Sequence, residues 1–216
     1  MYIQTSKQDK LHLGVGSHDC NWGAHIAGLY ESAAERDKML LGFLHAGDEA
    51  GDLQFYAPSE RSIEDFKRKY SEAYPSVRSH VDNPDLFQLS SPQSLYYPEG
   101  VFSPWTMDEN LKAIYRESQK RGRRNVRATA EMVWARKAIP GTEHLMAYEA
   151  RLNYFITGKP WISLCLYNIN EFDSATIRNV LRTHPYILQN DVISASPYYQ
   201  EPEVWLLRNA PQFLNR

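Results

Sequence analysis

The sequence alternates short apolar segments of strand length with longer segments whose apolar residues recur at helical spacing. The clearest strand covers residues 161–167, an almost unbroken apolar run typical of a central strand that is covered on both faces. Helices are predicted on either side of it, at residues 141–156 and 173–183. Because strands that alternate with helices form sheets covered by helices, the pattern predicts an α/β fold: a three-layer sandwich around a mostly parallel sheet.

The other predicted elements follow the same alternation. A capping box formed by Ser32 and Glu35 begins the first helix, and Gly47 ends it. Further strands are predicted at residues 24–30, 53–57, 86–89, 125–132 and 192–196, further helices at 62–70 and 107–121, and a short helix or turn at 202–207. Residues 90–104 are rich in Pro, Ser and Tyr and are predicted to be a long loop, which we expect to become ordered when a ligand binds.

Length and charge restrict the class of protein. A chain of 216 residues fits one domain, which we expect at residues 14–207 between an N-terminal extension at 1–13 and a tail at 208–216. The net charge of −2 gives no electrostatic case for nucleic-acid binding. A polar N-terminus and the lack of a bilayer-length apolar stretch predict a cytoplasmic protein, with reduced cysteines and no membrane partner.

A nucleotide phosphate loop is missing where the fold would place it. In such proteins a glycine-rich turn with a lysine joins a strand to the following helix. Residues 29–35 read LYESAAE, with neither glycine nor lysine, and Glu31 and Glu35 would repel a triphosphate. We therefore expect no ATP, and the sequence names no other cofactor.

Two acidic residues are candidate site residues. Glu149 lies at the edge of an apolar helical stripe, where burial would favour its neutral form, so it is either a ligand-facing acid or a structural acid with a partner. Glu131 lies near the carboxyl end of a predicted strand, which is where ligands bind in open α/β sheets. The alternative for Glu131 is a carboxylate that caps a loop.

A metal site is a less favoured interpretation of residues 16–25. His18, Cys20 and His25 are metal-ligand types, but they lack the paired spacing and second cluster of structural zinc sites. A glycine-rich loop with a buried thiol is the alternative. Cys165 is expected to fill space in a core strand, and His184, before a proline, to end a helix.

Several segments in order resemble one family, the MEDS domain, a sensory domain of methanogens and methylotrophs. The matching segments are AHIAGLYES at 24–32, FLHAG at 43–47, EMVWA at 131–135, YE at 148–149, LCLYN at 164–168, HPY at 184–186 and PYY at 197–199. The chain departs from the family at Ser196, where Asn is usual, and in the segment at residues 16–20. The resemblance implies a RecA-like fold, similar to the clock ATPase KaiC but without a working Walker A loop.

The resemblance also implies a function. It predicts a domain that senses a small organic signal and passes it to a separate regulatory protein, such as a kinase or a transcription factor; a homo-oligomer is compatible with this. The predicted ligand-binding residues are His25, Tyr30, Glu131, Trp134, Glu149, Cys165, Tyr167 and Tyr198. Two alternatives remain: an enzyme that uses Glu131 and Glu149 as acid and base, with or without a metal at His25, and a scaffold that binds another protein through its aromatic loops.

Overall fold

The computed structural model describes residues 11–16, 20–120, 122 and 125–214. In this part of the chain seven strands form one sheet. The strands are β1 His25–Tyr30, β2 Leu53–Ala57, β3 Phe87–Leu89, β4 Val126–Glu131, β5 Trp161–Asn168, β6 Tyr186–Gln189 and β7 Val192–Ala195. The helices are α1 Ala33–Ala50, α2 Ile63–Ala73, α3 Pro92–Tyr96, α4 Pro104–Lys120, α5 Leu145–Ile156, α6 Ser174–Thr183 and α7 Pro202–Asn209. None of these described helices is long and apolar enough to cross a bilayer.

The strand order is β3-β2-β4-β5-β1-β6-β7. All neighbouring pairs are parallel except β6 and β7, which are antiparallel. The apolar strand β5 is central, between β4 and β1, as its sequence predicts. The predicted α/β sandwich with a mostly parallel sheet is confirmed.

The antiparallel end of the sheet was predicted incompletely. The sequence pattern gave one strand at residues 192–196, whereas the structure has a hairpin formed by β6 and β7. Asn190 and Asp191 make its turn with φ values of 51° and 60°. A two-residue hairpin turn of this kind needs positive φ at both positions, which Asn and Asp tolerate better than most residues.

The sheet separates two hydrophobic cores. Because successive side chains of a strand point to opposite faces, Ala27 and Leu29 of β1 belong to one core and Ile26 and Tyr30 to the other. Helices α4, α5 and α6 cover the first face, called here the α5 face. Helices α1 and α2 cover the second, the α1 face. Helix α7 packs outside α5, where Trp205 joins a small third cluster.

A buried arginine joins the first described residues to the α1 face. Arg127 of β4 is 0 % exposed, and its Nε donates to Asp52 Oδ2 at 3.1 Å. Its other guanidinium nitrogens donate to the carbonyls of Phe43, Leu13 and His12. Leu13, from the predicted N-terminal extension, is 1 % exposed in the core of this face.

The segment at residues 90–104 contains more regular structure than the predicted loop. Residues Pro92–Tyr96 form α3, and α4 begins at Pro104, in the first turn where proline is tolerated. Tyr96 and Phe102 are buried. The backbone N–H of Phe102 donates to the carbonyl of Pro140 at 2.8 Å, so the segment packs against the chain that leads into α5.

Candidate functional site

Four side chains with acid–base or metal-ligating atoms meet beneath α5. His25 begins β1 and Cys165 lies within β5, the neighbouring parallel strand. Glu149 projects from α5, and His184 follows the last residue of α6. His25, Glu149 and His184 are 0 % exposed and Cys165 is 6 % exposed. One ligand-type atom from each of the four lies within 4.8 Å of the others. These four residues are called the His–Glu–Cys cluster below.

The fold brings these residues together through strand order and strand periodicity. β1 and β5 are adjacent, and residues two apart on a strand share a face, so His25, Cys165 and Tyr167 all point towards α5. Pro185 cannot continue α6, so the helix ends at Thr183 and the chain turns into β6 beside β1. That turn places His184 against the same end of the sheet.

The Glu149 carboxylate is the centre of the cluster. Its Oε1 accepts a hydrogen bond of 2.6 Å from the Tyr167 hydroxyl. Its Oε2 lies 3.1 Å from His25 Nε2 and 3.5 Å from His184 Nε2. The Cys165 Sγ is 3.7 Å from the same oxygen. One carboxylate oxygen is therefore held by a tyrosine, while the other faces two imidazole nitrogens and a thiol.

Asn153 determines which nitrogen of His25 carries the proton. Its amide nitrogen donates to three backbone carbonyls, those of Glu149, Ala150 and Thr183. Its Oδ1 must therefore accept, and it lies 3.2 Å from His25 Nδ1. Nδ1 carries the hydrogen in this bond, so Nε2 of the neutral ring presents a lone pair to the cluster.

His184 has the same arrangement. Its Nδ1 lies 2.9 Å from the carbonyl oxygen of Val180, which can only accept, so Nδ1 is the protonated nitrogen. Its Nε2 is buried and has no hydrogen-bond partner among the described residues. The two rings are close, with centroids 3.9 Å apart. The unprotonated Nε2 atoms of both imidazoles thus face the same buried carboxylate oxygen.

Burial controls the protonation of the cluster. Desolvation lowers the pKa of His25 to about 3, and desolvation together with the neighbouring His25 ring lowers the pKa of His184 to about 3. Desolvation also raises the pKa of the Glu149 carboxyl and raises the pKa of the Cys165 thiol well above its ordinary value. Both imidazoles are therefore neutral at pH 7, and their contacts with Glu149 are not ion pairs between charged groups.

A small cavity adjoins the cluster on the α5 face. Its volume is about 30 Å³. Cys165 forms part of its wall, together with residues of β4, α3, α4 and α5. Most of the lining is apolar or aromatic, and includes Leu95, Tyr96, Met107, Leu111, Tyr148 and Trp161. Tyr96 stacks on the buried Trp134 with ring centroids 4.3 Å apart, so α3 forms part of the cavity wall through a well-packed aromatic pair.

Glu131 belongs to a different cluster, on the α1 face at the carboxyl end of β4. Its Oε1 accepts a hydrogen bond of 2.6 Å from the Tyr56 hydroxyl. Its Oε2 accepts from the backbone N–H groups of Ser59, at 2.7 Å, and Glu60, at 2.5 Å. Glu131 therefore organises the turn that follows β2.

Two arginines complete this second cluster. Arg36 Nε and Arg61 Nε lie 3.5 Å and 3.7 Å from Glu131 Oε1. Arg36 also donates to Glu60 Oε2 at 2.9 Å, and the Tyr30 hydroxyl donates to the same oxygen. Side chains of the protein itself thus form an ion-pair network at the carboxyl end of β1.

The connection from β1 to α1 consists of Glu31 and Ser32. Ser32 Oγ accepts from the backbone N–H of Glu35 at 3.3 Å, as the predicted capping box requires. The Glu35 carboxylate accepts from the N–H of Glu31 at 2.8 Å. Backbone donors that would face a phosphate in a nucleotide-binding turn are bonded here to side chains.

Glu131 and Glu149 lie on opposite faces of the sheet. Glu131 contacts Tyr56, a residue of the α1-face core, whereas Glu149 contacts Tyr167 and Cys165 in the α5-face core. An acid–base pair must reach one substrate, and the sheet separates these two carboxylates. The geometry does not bring together the pair on which the enzyme alternative depends.

Comparison with known proteins identifies the family. The model of the MEDS domain, the methanogen/methylotroph DcmR sensory domain, matches residues 24–185. The chain belongs to the MEDS family. The transcriptional repressor DcmR of Methylorubrum extorquens (strain DSM 6343 / CIP 106787 / DM4) is 24 % identical over 171 residues, which are 79 % of this chain and 61 % of the repressor. A sensory or regulatory role for this MEDS domain is therefore supported, although it spans only 61 % of the length of that relative.

A solved structure confirms the fold of this MEDS domain. The crystal structure of a KaiC-like protein from the hyperthermophilic archaeon Pyrococcus horikoshii OT3 superposes with a TM-score of 0.59. The match covers 89 % of this chain and 91 % of that protein at 11 % identity. At such low identity the likeness establishes the fold, which is RecA-like as predicted, and nothing about activity.

The structure divides the predicted ligand-binding residues of the MEDS domain into groups. His25, Glu149, Cys165 and Tyr167 meet at the His–Glu–Cys cluster. Tyr30 and Glu131 lie in the ion-pair network of the α1 face, and Trp134 is buried beneath α3. Tyr198 is 62 % exposed.

The alternative metal set of His18, Cys20 and His25 is not assembled among the described residues. Cys20 packs in the α1-face core, whereas the partners of His25 are Glu149, Cys165 and Asn153 on the α5 face. His18 lies outside the described residues. The metal-ligating atoms near His25 come instead from α5, β5 and the end of α6.

Sequence reasoning missed His184 and Asn153 as members of the site. His184 was assigned only a role at the end of a helix. Asn153 lies one helical turn after Glu149, and a second polar residue on the buried side of that helix was the available signal.

Proposed function

We propose that this chain is a cytoplasmic sensory domain that binds a small organic molecule in its interior and signals to a separate regulatory protein. The observation that carries the proposal is the cavity of about 30 Å³ whose wall includes Cys165 of the His–Glu–Cys cluster. Membership of a sensory family and similarity to a transcriptional repressor support the regulatory role.

The cavity restricts the size and polarity of the ligand. One water needs about 10–15 Å³ measured in this way, so 30 Å³ accommodates a molecule of about two or three non-hydrogen atoms. The lining is mostly aliphatic and aromatic, and its side chains that carry polar atoms include Cys165, Ser163 and Tyr148. A small, weakly polar organic compound fits this combination better than a sugar, a nucleotide or an anion.

The signal would travel through α3. Leu95 and Tyr96 of this helix line the cavity, and Tyr96 stacks on Trp134. A ligand that binds one packing of α3 more tightly than another shifts the population of the two. The surface of residues 90–104 would then change, and a partner such as a kinase or a transcription factor would recognise that change.

The test uses ligands of graded size. The purified chain is titrated with one- to three-carbon alcohols, amines and haloalkanes, and with xenon, while the melting temperature and the ¹²⁹Xe NMR shift are recorded. Ala128→Val adds two methyl groups at the cavity wall and is expected to weaken binding at least about tenfold, because the space is filled. Ala195→Val, the same change at an exposed position of β7, is the matched control and should bind as the wild type does.

Two results would contradict the proposal. One is a wild-type chain on which neither xenon nor any compound of the series has an effect. The other is equal binding by the wild type and Ala128→Val, which would move the ligand site away from this cavity.

A further inference from the structure

We infer that His25, Glu149, Cys165 and His184 form a binding site for one divalent transition-metal ion of the zinc class. The site shares Cys165 with the wall of the proposed ligand cavity, but the inference rests on the geometry of the four side chains and on the groups that orient them, and does not require a ligand in the cavity.

The spacing of the four ligand atoms fits tetrahedral coordination. Zinc binds nitrogen, oxygen and sulfur at about 2.0–2.3 Å, which gives tetrahedral edges of about 3.3–3.8 Å. The distances from Glu149 Oε2 to the two histidine Nε2 atoms are 3.1 Å and 3.5 Å. Those from Cys165 Sγ to His25 Nε2 and to Glu149 Oε2 are 3.5 Å and 3.7 Å. These four of the six edges are at or near the values for one shared ion, and all four ligand atoms lie within 4.8 Å of one another.

Both histidines are oriented as metal ligands. A ligating imidazole commonly donates its other N–H to a carbonyl or a carboxylate, which fixes the ring and its tautomer. His25 donates through Nδ1 to Asn153 Oδ1, and His184 donates through Nδ1 to the carbonyl of Val180. The lone pairs on the two Nε2 atoms therefore face the cluster, and that of His184 is unpartnered among the described residues.

A divalent cation also explains the polarity of the site. The Glu149 carboxylate oxygen and the two unprotonated imidazole nitrogens that face it are all electron-pair donors, and no positive group lies between them among the described residues. A buried carboxylate without a positive partner is costly. A dication bound by Glu149 and by the thiolate of Cys165 would make the site neutral. Tyr167 already donates to Glu149 Oε1, which leaves Oε2 as the ligand atom.

The donor set selects the class of metal. Two imidazoles and a thiolate are ligands for zinc and its neighbours, whereas magnesium and calcium prefer oxygen ligands throughout. Four protein ligands fill a tetrahedral shell, so the site resembles a structural centre more than a catalytic one with an open position.

The experiment must allow for complete burial of the site. The full chain is unfolded in guanidinium with a chelator and then refolded with Co²⁺, because metal binding to a buried centre is coupled to folding. We expect one Co²⁺ per chain, with the visible absorption of tetrahedral cobalt and a sulfur-to-cobalt charge-transfer band. Added Zn²⁺ should abolish both signals. A chain that refolds to its native circular dichroism without these bands would overturn the inference.

The variants identify the ligands. Cys165→Ser should lose the charge-transfer band, whereas Cys20→Ser, at the other cysteine, should keep it. His184→Gln should weaken Co²⁺ binding by at least tenfold, whereas His144→Gln, outside the cluster, should leave it unchanged.

If the cluster variants fail to fold, X-ray absorption of the zinc-loaded wild type gives a second measurement. A shell of three nitrogen or oxygen atoms at about 2.0–2.1 Å and one sulfur at about 2.3 Å supports the inference, and a shell without sulfur contradicts it. Failure of the metal test would leave the xenon and small-ligand test unaffected, since that test reports on Ala128, which is not one of the four metal ligands.

Discussion

Asn153 fixes the His25 ring in one orientation, with Oδ1 lying 3.2 Å from Nδ1 of the imidazole. The asparagine can act in this way because its amide nitrogen is held by three carbonyls from two helices, α5 and α6. Asn153, which is not one of the four proposed metal ligands, thus determines which His25 nitrogen faces Glu149.

Replacing Asn153 by leucine should therefore affect both stability and metal binding. We expect Asn153→Leu to lower the free energy of unfolding by about 1–3 kcal/mol, because buried polar groups lose their partners. Co²⁺ affinity should fall by about 10–100-fold, as for other groups that orient ligands. Urea denaturation and cobalt titration measure the two effects. Asn209→Leu removes a similar bond, to the Trp205 carbonyl, and should leave the cobalt titration unchanged.

Replacing only one partner of the buried pair formed by Arg127 and Asp52 should destabilise the fold. Arg127→Met leaves Asp52 as an unpaired buried charge, and we expect it to destabilise the fold by about 3–5 kcal/mol. Adding Asp52→Leu should recover part of this loss in a double-mutant cycle of urea midpoints. Lys38→Met, at the exposed pair with Asp191, should cost less than about 1 kcal/mol. If Arg127→Met and Lys38→Met destabilised the fold equally, burial would not explain the predicted loss at Arg127.

Gly141 and Gly100 provide a matched test of close packing. Both have positive φ, at 92° and 80°. A Cβ at residue 141 would clash with the Phe102 carbonyl oxygen, whereas a Cβ at residue 100 would meet no atom of the described residues within 4 Å. Gly100→Ala should cost only the left-handed backbone penalty of about 1–2 kcal/mol. Gly141→Ala should cost more and should increase amide exchange at Phe102; equal thermal shifts in the two variants would contradict this.

Asp173 should make stability depend on pH. It caps α6 by accepting from the Thr176 N–H at 2.6 Å, and hydrogen bonds from the Thr176 backbone lower the pKa of its carboxyl below the ordinary value of 3.8. A lowered folded-state pKa means that the stabilisation is present above that ordinary value and is lost as the pH falls through the folded-state pKa. Asp173→Asn keeps an N-cap but does not titrate. Its melting temperature should therefore approach that of the wild type as the pH is lowered from about 5 to 2, and a constant difference over this range would refute the assignment.

The fold could be predicted largely from periodicity. Central strand β5 and the helices beside it have patterns that extend over many residues, and they were predicted within a few residues of their observed ends. Strand β6 was missed because its four residues, Tyr186–Gln189, directly follow His184 and Pro185, whose helix-ending role accounted for that region. The pairing of β6 with β1 depends on contacts across more than 150 positions of sequence, which local patterns do not contain.

The candidate site could be predicted only residue by residue. The sequence predicts four residues of the site individually: His25, Glu149, Cys165 and Tyr167. Their proximity depends on the order of the strands in the sheet, and the spacing of residues along the chain does not determine that order. Glu131 was correctly placed at a strand end. The face of the sheet on which the Glu131 side chain lies was not predicted. Alternation along β4 puts Glu131 and Ala130 on opposite faces, but it does not indicate which of these faces α5 covers.

The lengths of the outer strands affect how copies of this protein can associate. Edge strand β3 has three residues and edge strand β7 has four, so each edge offers few unpaired backbone groups to another chain. We therefore expect the folded protein to resist sheet extension and fibre formation even at high concentration. Any oligomer that it forms would associate through the outer surfaces of its helices. The sheet of one copy would not continue into the sheet of another.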